Sequence, residues 1–207
     1  MMGSDNGDKL PEVKEPKTDI KPVVIFATVP LLLGVGIASA IYKFGATDKY
    51  DAKIQSLKAA DLQWTFLALV VLGRCIVVVN LLPIVWKQRI MTVDAGNVRS
   101  NPFIYKAGDK TVLFANDGDI GAYNRANRSL QHMCENYGIV LASLFAASQV
   151  FAFPVFVLTC VFALGRILHL VGYTKGYGKH APGFMLATFA TNALEGMLVV
   201  AAMKAFN

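Results

Sequence analysis

Residues 123–136 read YNRANRSLQHMCEN, and the run behind them, YGIVLASLFAASQVFAF (137–153), is apolar enough to be membrane helix. On a helix of 3.6 residues per turn, Arg125, Arg128, His132 and Glu135 fall at i, i+3, i+7 and i+10, a single polar stripe. A charged stripe running into hydrocarbon is costly unless it faces other helices or a water-filled cavity, which makes it a candidate functional site. The plainer alternative, strongest for Arg125 taken alone, is a helix end whose arginines snorkel to the membrane surface.

Working outward, the whole chain fits a membrane setting. Its 207 residues are 55% hydrophobic and only 16% charged, with a mean hydropathy of +0.47. That is too apolar for an ordinary soluble domain. The net charge of +6 resides in segment ends and loops, which fits membrane orientation and speaks against nucleic acid as a partner. Cys75, Cys134 and Cys160 lie in or beside apolar segments with no CxxC spacing, so inert buried thiols are expected, neither a metal site nor a disulfide framework, with Cys134 beside the stripe as a candidate for modification.

Five spans are expected, at 22–42, 64–86, 123–151, 155–173 and 183–205, each long enough to cross about 30 Å of hydrocarbon. Residues 1–21 are polar, carry two prolines and read as a disordered tail rather than a transit peptide. Residues 22–63 form a first span, with an internal Pro30 and the pair Gly34 and Gly36, and a polar connector with helical periodicity in its second half. Arg74 in the second span is too deep to stand unpaired, and Glu195 in the last span is its expected partner. A loop is expected over 87–122, with room for short strands or an interfacial helix. Pro154 separates the third and fourth spans as an antiparallel pair, and Pro182 opens the fifth. The tail, the 87–122 loop and the 174–181 loop then share one face carrying eleven Lys and Arg, against five on the other. The positive-inside rule makes that face cytosolic or matrix-like.

The fourth span carries Arg166, His169 and Tyr173 at i, i+3 and i+7, a second stripe that runs toward the same surface on an antiparallel neighbour. Arginines there supply fixed positive charge for carboxylates, Glu135 accepts an amine, and a tyrosine hydroxyl donates to a thiolate or oxyanion. The pair of stripes suits a small zwitterionic ligand. The competing reading is an ion network joining helices, Glu135 with Arg128 and Arg166.

These residues resemble the MAPEG family, membrane-associated proteins of eicosanoid and glutathione metabolism, and most of all its microsomal glutathione transferases of the third type. The family segment resembles FNxxQRxHQNxLE, matched by Tyr123-Asn124, Arg128, Gln131 and Glu135. Its later segment resembles GRxLxxxGYxxG followed by Lys-Arg, matched by Gly165, Arg166, Leu168, Gly172, Tyr173, Gly176 and Lys179. The resemblance covers residues 64–207 and implies an all-α membrane protein, a four-helix MAPEG-like bundle with one additional N-terminal helix. It further implies a homotrimer, with glutathione bound between subunits by Arg125, Arg128, Gln131, His132, Glu135, Arg166, His169, Tyr173 and Lys179. Arg128, Tyr173 and His180 are the expected catalytic set, and a lipophilic electrophile or lipid hydroperoxide dissolved in the bilayer is the expected second substrate. The endoplasmic reticulum is the expected membrane, a mitochondrial membrane the alternative.

The departures are specific. His132 stands where the family has Asn, Leu130 where it has His, and His180 where a Lys-Arg pair would end. Neutral imidazole activates a thiol less than a permanent guanidinium does. A catalytically degenerate scaffold, or an accessory subunit of a larger membrane complex, is therefore the alternative to the enzyme. A channel or transporter fits poorly, because no inverted repeat is present and the charges gather at one surface.

Overall fold

The computed structural model describes residues 18–90, 103–107 and 112–206. The tail expected over residues 1–21 thus falls almost wholly outside the described residues. Helix α1 (Lys21–Phe44) begins where Asp19 Oδ1 accepts from the Lys21 N–H at 2.8 Å, with a proline in the first turn, where its missing N–H costs nothing. Helix α2 (Thr47–Ala59) follows a tight corner in which the Tyr42 hydroxyl donates to Asp51 and the Thr47 hydroxyl to the Tyr42 carbonyl. The connector is thus helical through most of its length and not only in its second half. None of the residues of α2 is buried.

Helices α3 (Gln63–Leu81) and α4 (Pro83–Ile90) together make one apolar stretch long enough to cross a membrane. Helical structure runs on through Lys87 to Ile90, both buried, so the expected loop begins later than Lys87. A short antiparallel hairpin of β1 (Tyr105–Ala107) and β2 (Val112–Phe114) pairs Tyr105 with Phe114. Next comes one helical stretch, Gly118–Thr174, interrupted at Phe151 by non-helical torsions of −123° and 46°. We call its halves α5 (118–150) and α6 (152–174). The break sits three residues before Pro154, the expected separator, because a proline has no N–H to offer the carbonyl four residues back and so severs the ladder across Phe151. Helix α7 (Ala181–Ala205) carries a proline in its first turn, as expected.

The halves fold back on each other as a hairpin. Arg125 on α5 reaches the carbonyls of Tyr173 and Thr174, and Ser129 reaches His169. Trp64, at the start of α3, packs on Phe153 and Phe156 at the opposite end, with ring centroids 4.8 and 5.4 Å apart. The core runs along α3, α5, α6 and α7 through Leu72, Val79, Val140, Leu144, Phe162, Leu170 and Leu194. Among the described residues four helices are long and apolar enough to cross a membrane, Lys21–Phe44, Gln63–Ile90, Gly118–Thr174 and Ala181–Ala205, and the break at Phe151 divides the third into α5 and α6. The bundle comprises α3–α4, α5, α6 and α7, with α1 added.

Helix α1 touches this bundle only near its start. The Asp19 N–H donates to Gln88 Oε1 at 3.0 Å, and Arg74 Nη1 donates to the Ala27 carbonyl at 3.2 Å. Arg74 does not pair with Glu195, contrary to expectation; Glu195 is exposed and its carboxylate has no basic partner among the described residues. A guanidinium inside a span needs an acceptor, and with no carboxylate paired to it the Ala27 carbonyl of α1 supplies one.

Two glycines set the closest helix contact. A Cβ on Gly165 would lie 2.6 Å from the Ala187 nitrogen, and one on Gly183 would overlap the backbone of His169. Small residues let α6 and α7 meet backbone to backbone, as membrane helices do. That contact fixes the height of His169 against α7.

Candidate functional site

The start of α5 is held by its own polar residues. Asn124, fully buried, accepts from the Ile104 N–H at 2.9 Å and donates to the Ile104 and Ala115 carbonyls at 2.7 Å each, clamping the hairpin onto the helix. Arg89 on α4 pairs with Asp119 at 2.9 Å. Arg125 makes four hydrogen bonds, from Nε to the Tyr173 carbonyl, from Nη2 to the Thr174 carbonyl, and from Nη1 to both oxygens of Asn116. The last carbonyls of a helix lack partners within it, and a guanidinium satisfies them while complementing the negative end of the dipole. Arg125 is thereby a clamp between α5 and the end of α6.

One turn further along α5, Arg128 pairs with Glu135 at 2.8 Å, both about 45% exposed. On the facing side Arg166 is 2% exposed, with Nη2 donating to the Ser129 carbonyl at 2.9 Å and Nη1 against His132 Nδ1 at 2.8 Å. The Ser129 hydroxyl lies 2.6 Å from His169 Nδ1. The expected network of Glu135 with both Arg128 and Arg166 thus separates into two. Glu135 takes Arg128 at the surface, and Arg166 takes His132 inside.

Between these helices and α7 lies a hollow of about 180 Å³ lined by Arg128, His132, His169, Tyr173, Tyr177, His180 and Phe184. All three histidines of the chain belong to it. The ring centroids of His169 stand 5.6 Å from His132 and 5.4 Å from His180, and Tyr173 stands 4.9 Å from His180. His180 comes over Tyr173 because the loop after α6 doubles back tightly. Gly176 and Gly178 adopt φ of 140° and 90° on either side of Tyr177, and a Cβ on Gly172 would strike the Lys179 carbonyl.

Of the residues singled out in the sequence, Arg128, His132, His169, Tyr173 and His180 converge on the hollow. Glu135 reaches it only through Arg128. Arg125 and Arg166 sit behind the wall as clamps, and Gln131 and Lys179 are exposed outside it. Two lining residues went unread, Tyr177 and Phe184. Tyr177 follows Tyr173 by four positions in a Gly-flanked loop, a spacing that could have drawn notice, whereas nothing in the sequence marks Phe184. The cysteines also divide. Cys75 is buried and Cys160 partly so, as expected of inert thiols, whereas Cys134, the candidate for modification, is exposed.

The sequence model that describes the MAPEG family matches residues 65–203. The chain belongs to the MAPEG family. No curated protein and no solved structure matches it. The match spans α3 to nearly the end of α7, the bundle that holds the hollow, and leaves α1 and α2 outside. In this MAPEG chain the two matched motif segments, 123–135 and 165–179, are the two strips that face each other through Ser129, His132, Arg166 and His169.

Proposed function

We propose that this MAPEG protein is a glutathione-dependent membrane transferase or peroxidase acting on lipophilic electrophiles or lipid hydroperoxides. The observation that carries the reading is the convergence of one cation, three imidazoles and two phenols on a single hollow at the polar end of the family bundle. Arg128 would receive a ligand carboxylate and Glu135, its present partner, an amine, so a zwitterion would exchange with the ion pair. Tyr173 and His180 would stand over the thiol. Loss of the thiol proton gives a thiolate that attacks an electrophilic carbon, forming the S–C bond as the leaving group departs. With a hydroperoxide, two thiols are oxidised to a disulfide while the peroxide is reduced to an alcohol and water. Nearby positive charge favours the thiolate in either case.

The hollow's size supports a site shared between subunits. Small-molecule pockets run to roughly 300–1,000 Å³, so about 180 Å³ in one chain amounts to part of a site. A homotrimer would complete it, with the endoplasmic reticulum as the expected membrane and a mitochondrial membrane as the alternative. Calorimetry with glutathione on detergent-purified protein, followed by turnover of a chloronitroarene or a lipid hydroperoxide, tests the proposal. Arg128→Ala should raise the glutathione Kd about tenfold or more through the lost charge-assisted bond. Tyr173→Phe should lower kcat with little change in Kd. A wild-type protein that binds no glutathione sinks the reading.

One observation favours a second reading, an accessory subunit of a membrane complex. In the most apolar stretch of α1 no residue is buried, leaving a flank that an unlike subunit could cover. Stoichiometric co-purification with other membrane proteins in gentle detergent would support it, and a lone trimer would remove it.

A further inference from the structure

Behind the wall of the hollow, Arg166 and His132 make a contact whose proton positions follow from chemistry. A guanidinium has five N–H donors and no acceptor, and it keeps its charge in proteins. With Arg166 Nη1 at 2.8 Å from His132 Nδ1, the imidazole nitrogen must accept, so the ring's proton sits on Nε2. Arg166 has no freedom to reverse the relation, since Nη2 is held by the Ser129 carbonyl and the side chain is 2% exposed. His132 lines the hollow, and Nε2 is the nitrogen it has left to offer.

We propose that Arg166 acts on the ligand through His132, locking the imidazole as an Nε2–H donor to an anionic group, a carboxylate or thiolate, bound in the hollow. Resting on the glutathione reading above, this makes Arg166 a positioning residue and His132 a direct ligand contact. His169 differs, because its Nδ1 faces a hydroxyl that can donate or accept, which leaves its tautomer open to the ligand.

Nitrogen NMR of protein labelled with 15N in its histidines decides the first half on the wild type, and a variant serves only to assign the signals. The expected signature for His132, assigned by its loss in His132→Gln, is a protonated Nε2 and a bare Nδ1. A proton on Nδ1, or on both nitrogens, overturns the proposal. Arg166→Met should then leave a mixture of both tautomers at His132. For the second half, glutathione calorimetry compares His132→Leu, expected to weaken binding about tenfold, with His132→Gln, which restores a donor near Nε2 and should bind within about threefold of wild type. Equal binding by wild type and His132→Leu overturns the ligand contact. Should glutathione not bind the wild type at all, the transferase reading and the ligand contact fall together, whereas a wrong tautomer in a protein that does bind glutathione sinks the inference alone.

Discussion

Helices α1 and α6 are both long and apolar, yet they keep opposite company. In the most apolar stretch of α1 no residue is buried, and its known ties are at its foot, where Asp19 meets Gln88 and Ala27 meets Arg74. Helix α6 is locked on both sides, by Gly165 against the backbone of α7 and by Arg166 and His169 against α5. In a membrane apolar side chains gain nothing by leaving lipid for protein, so hydropathy decides that a helix spans but not what it packs on. Close backbone approach and satisfied polar groups decide the packing. The glycines make the same point. A Cβ at Gly34 or Gly36 in α1 would meet nothing within 4 Å, while one at Gly183 would overlap α6.

The sharpest way to break this contrast is to fill both kinds of glycine. Gly183→Leu should destabilise the bundle by about 3 kcal/mol or prevent folding altogether, because backbone cannot yield as a side chain can. Gly34→Leu should stay within about 0.5 kcal/mol of wild type. Thermal unfolding in detergent followed by circular dichroism reads both, and equal losses would mean that α1 is packed as tightly as α6. Next in size, Asn124→Leu strands the Ile104 and Ala115 groups in a buried place and should cost about 2–3 kcal/mol. Hydrogen exchange should then rise at residues 104 and 115 without rising in α1. Arg74→Leu should have the smallest effect, about 1 kcal/mol or less, through one lost hydrogen bond. It should loosen α1 and leave glutathione binding unchanged, as judged by exchange across residues 21–30 and by calorimetry. Lost binding on that change would tie α1 to the site.

Much of the site could be read along the chain, and the misses share a cause. The stripes at 125–135 and 166–173 were visible because helical periodicity places residues on a face whatever surrounds them. Which arginine would meet a ligand was not visible. Arg125, Arg128 and Arg166 look alike in sequence, and only Arg128 lines the hollow. Arg125 caps α6 because the hairpin at Phe151 brings residues 173 and 174 back to it. Arg74 meets the Ala27 carbonyl and not Glu195 because depth along a helix says nothing of rotation about its axis. Tyr177 and Phe184 were passed over since a loop tyrosine and a helix-start phenylalanine carry no periodic mark.

By itself the sequence determined that this is an all-α membrane protein of the MAPEG family, where its long apolar helices lie, and which two segments are polar. Those properties depend on composition and on spacing along a helix, which local covalent geometry sets. The tertiary structure alone decided that Arg166 turns to His132, that Arg74 reaches across to Ala27, and that three histidines share one hollow. Such pairings depend on how helices rotate and how closely they approach, and a few glycines and buried hydrogen bonds between distant residues fix both.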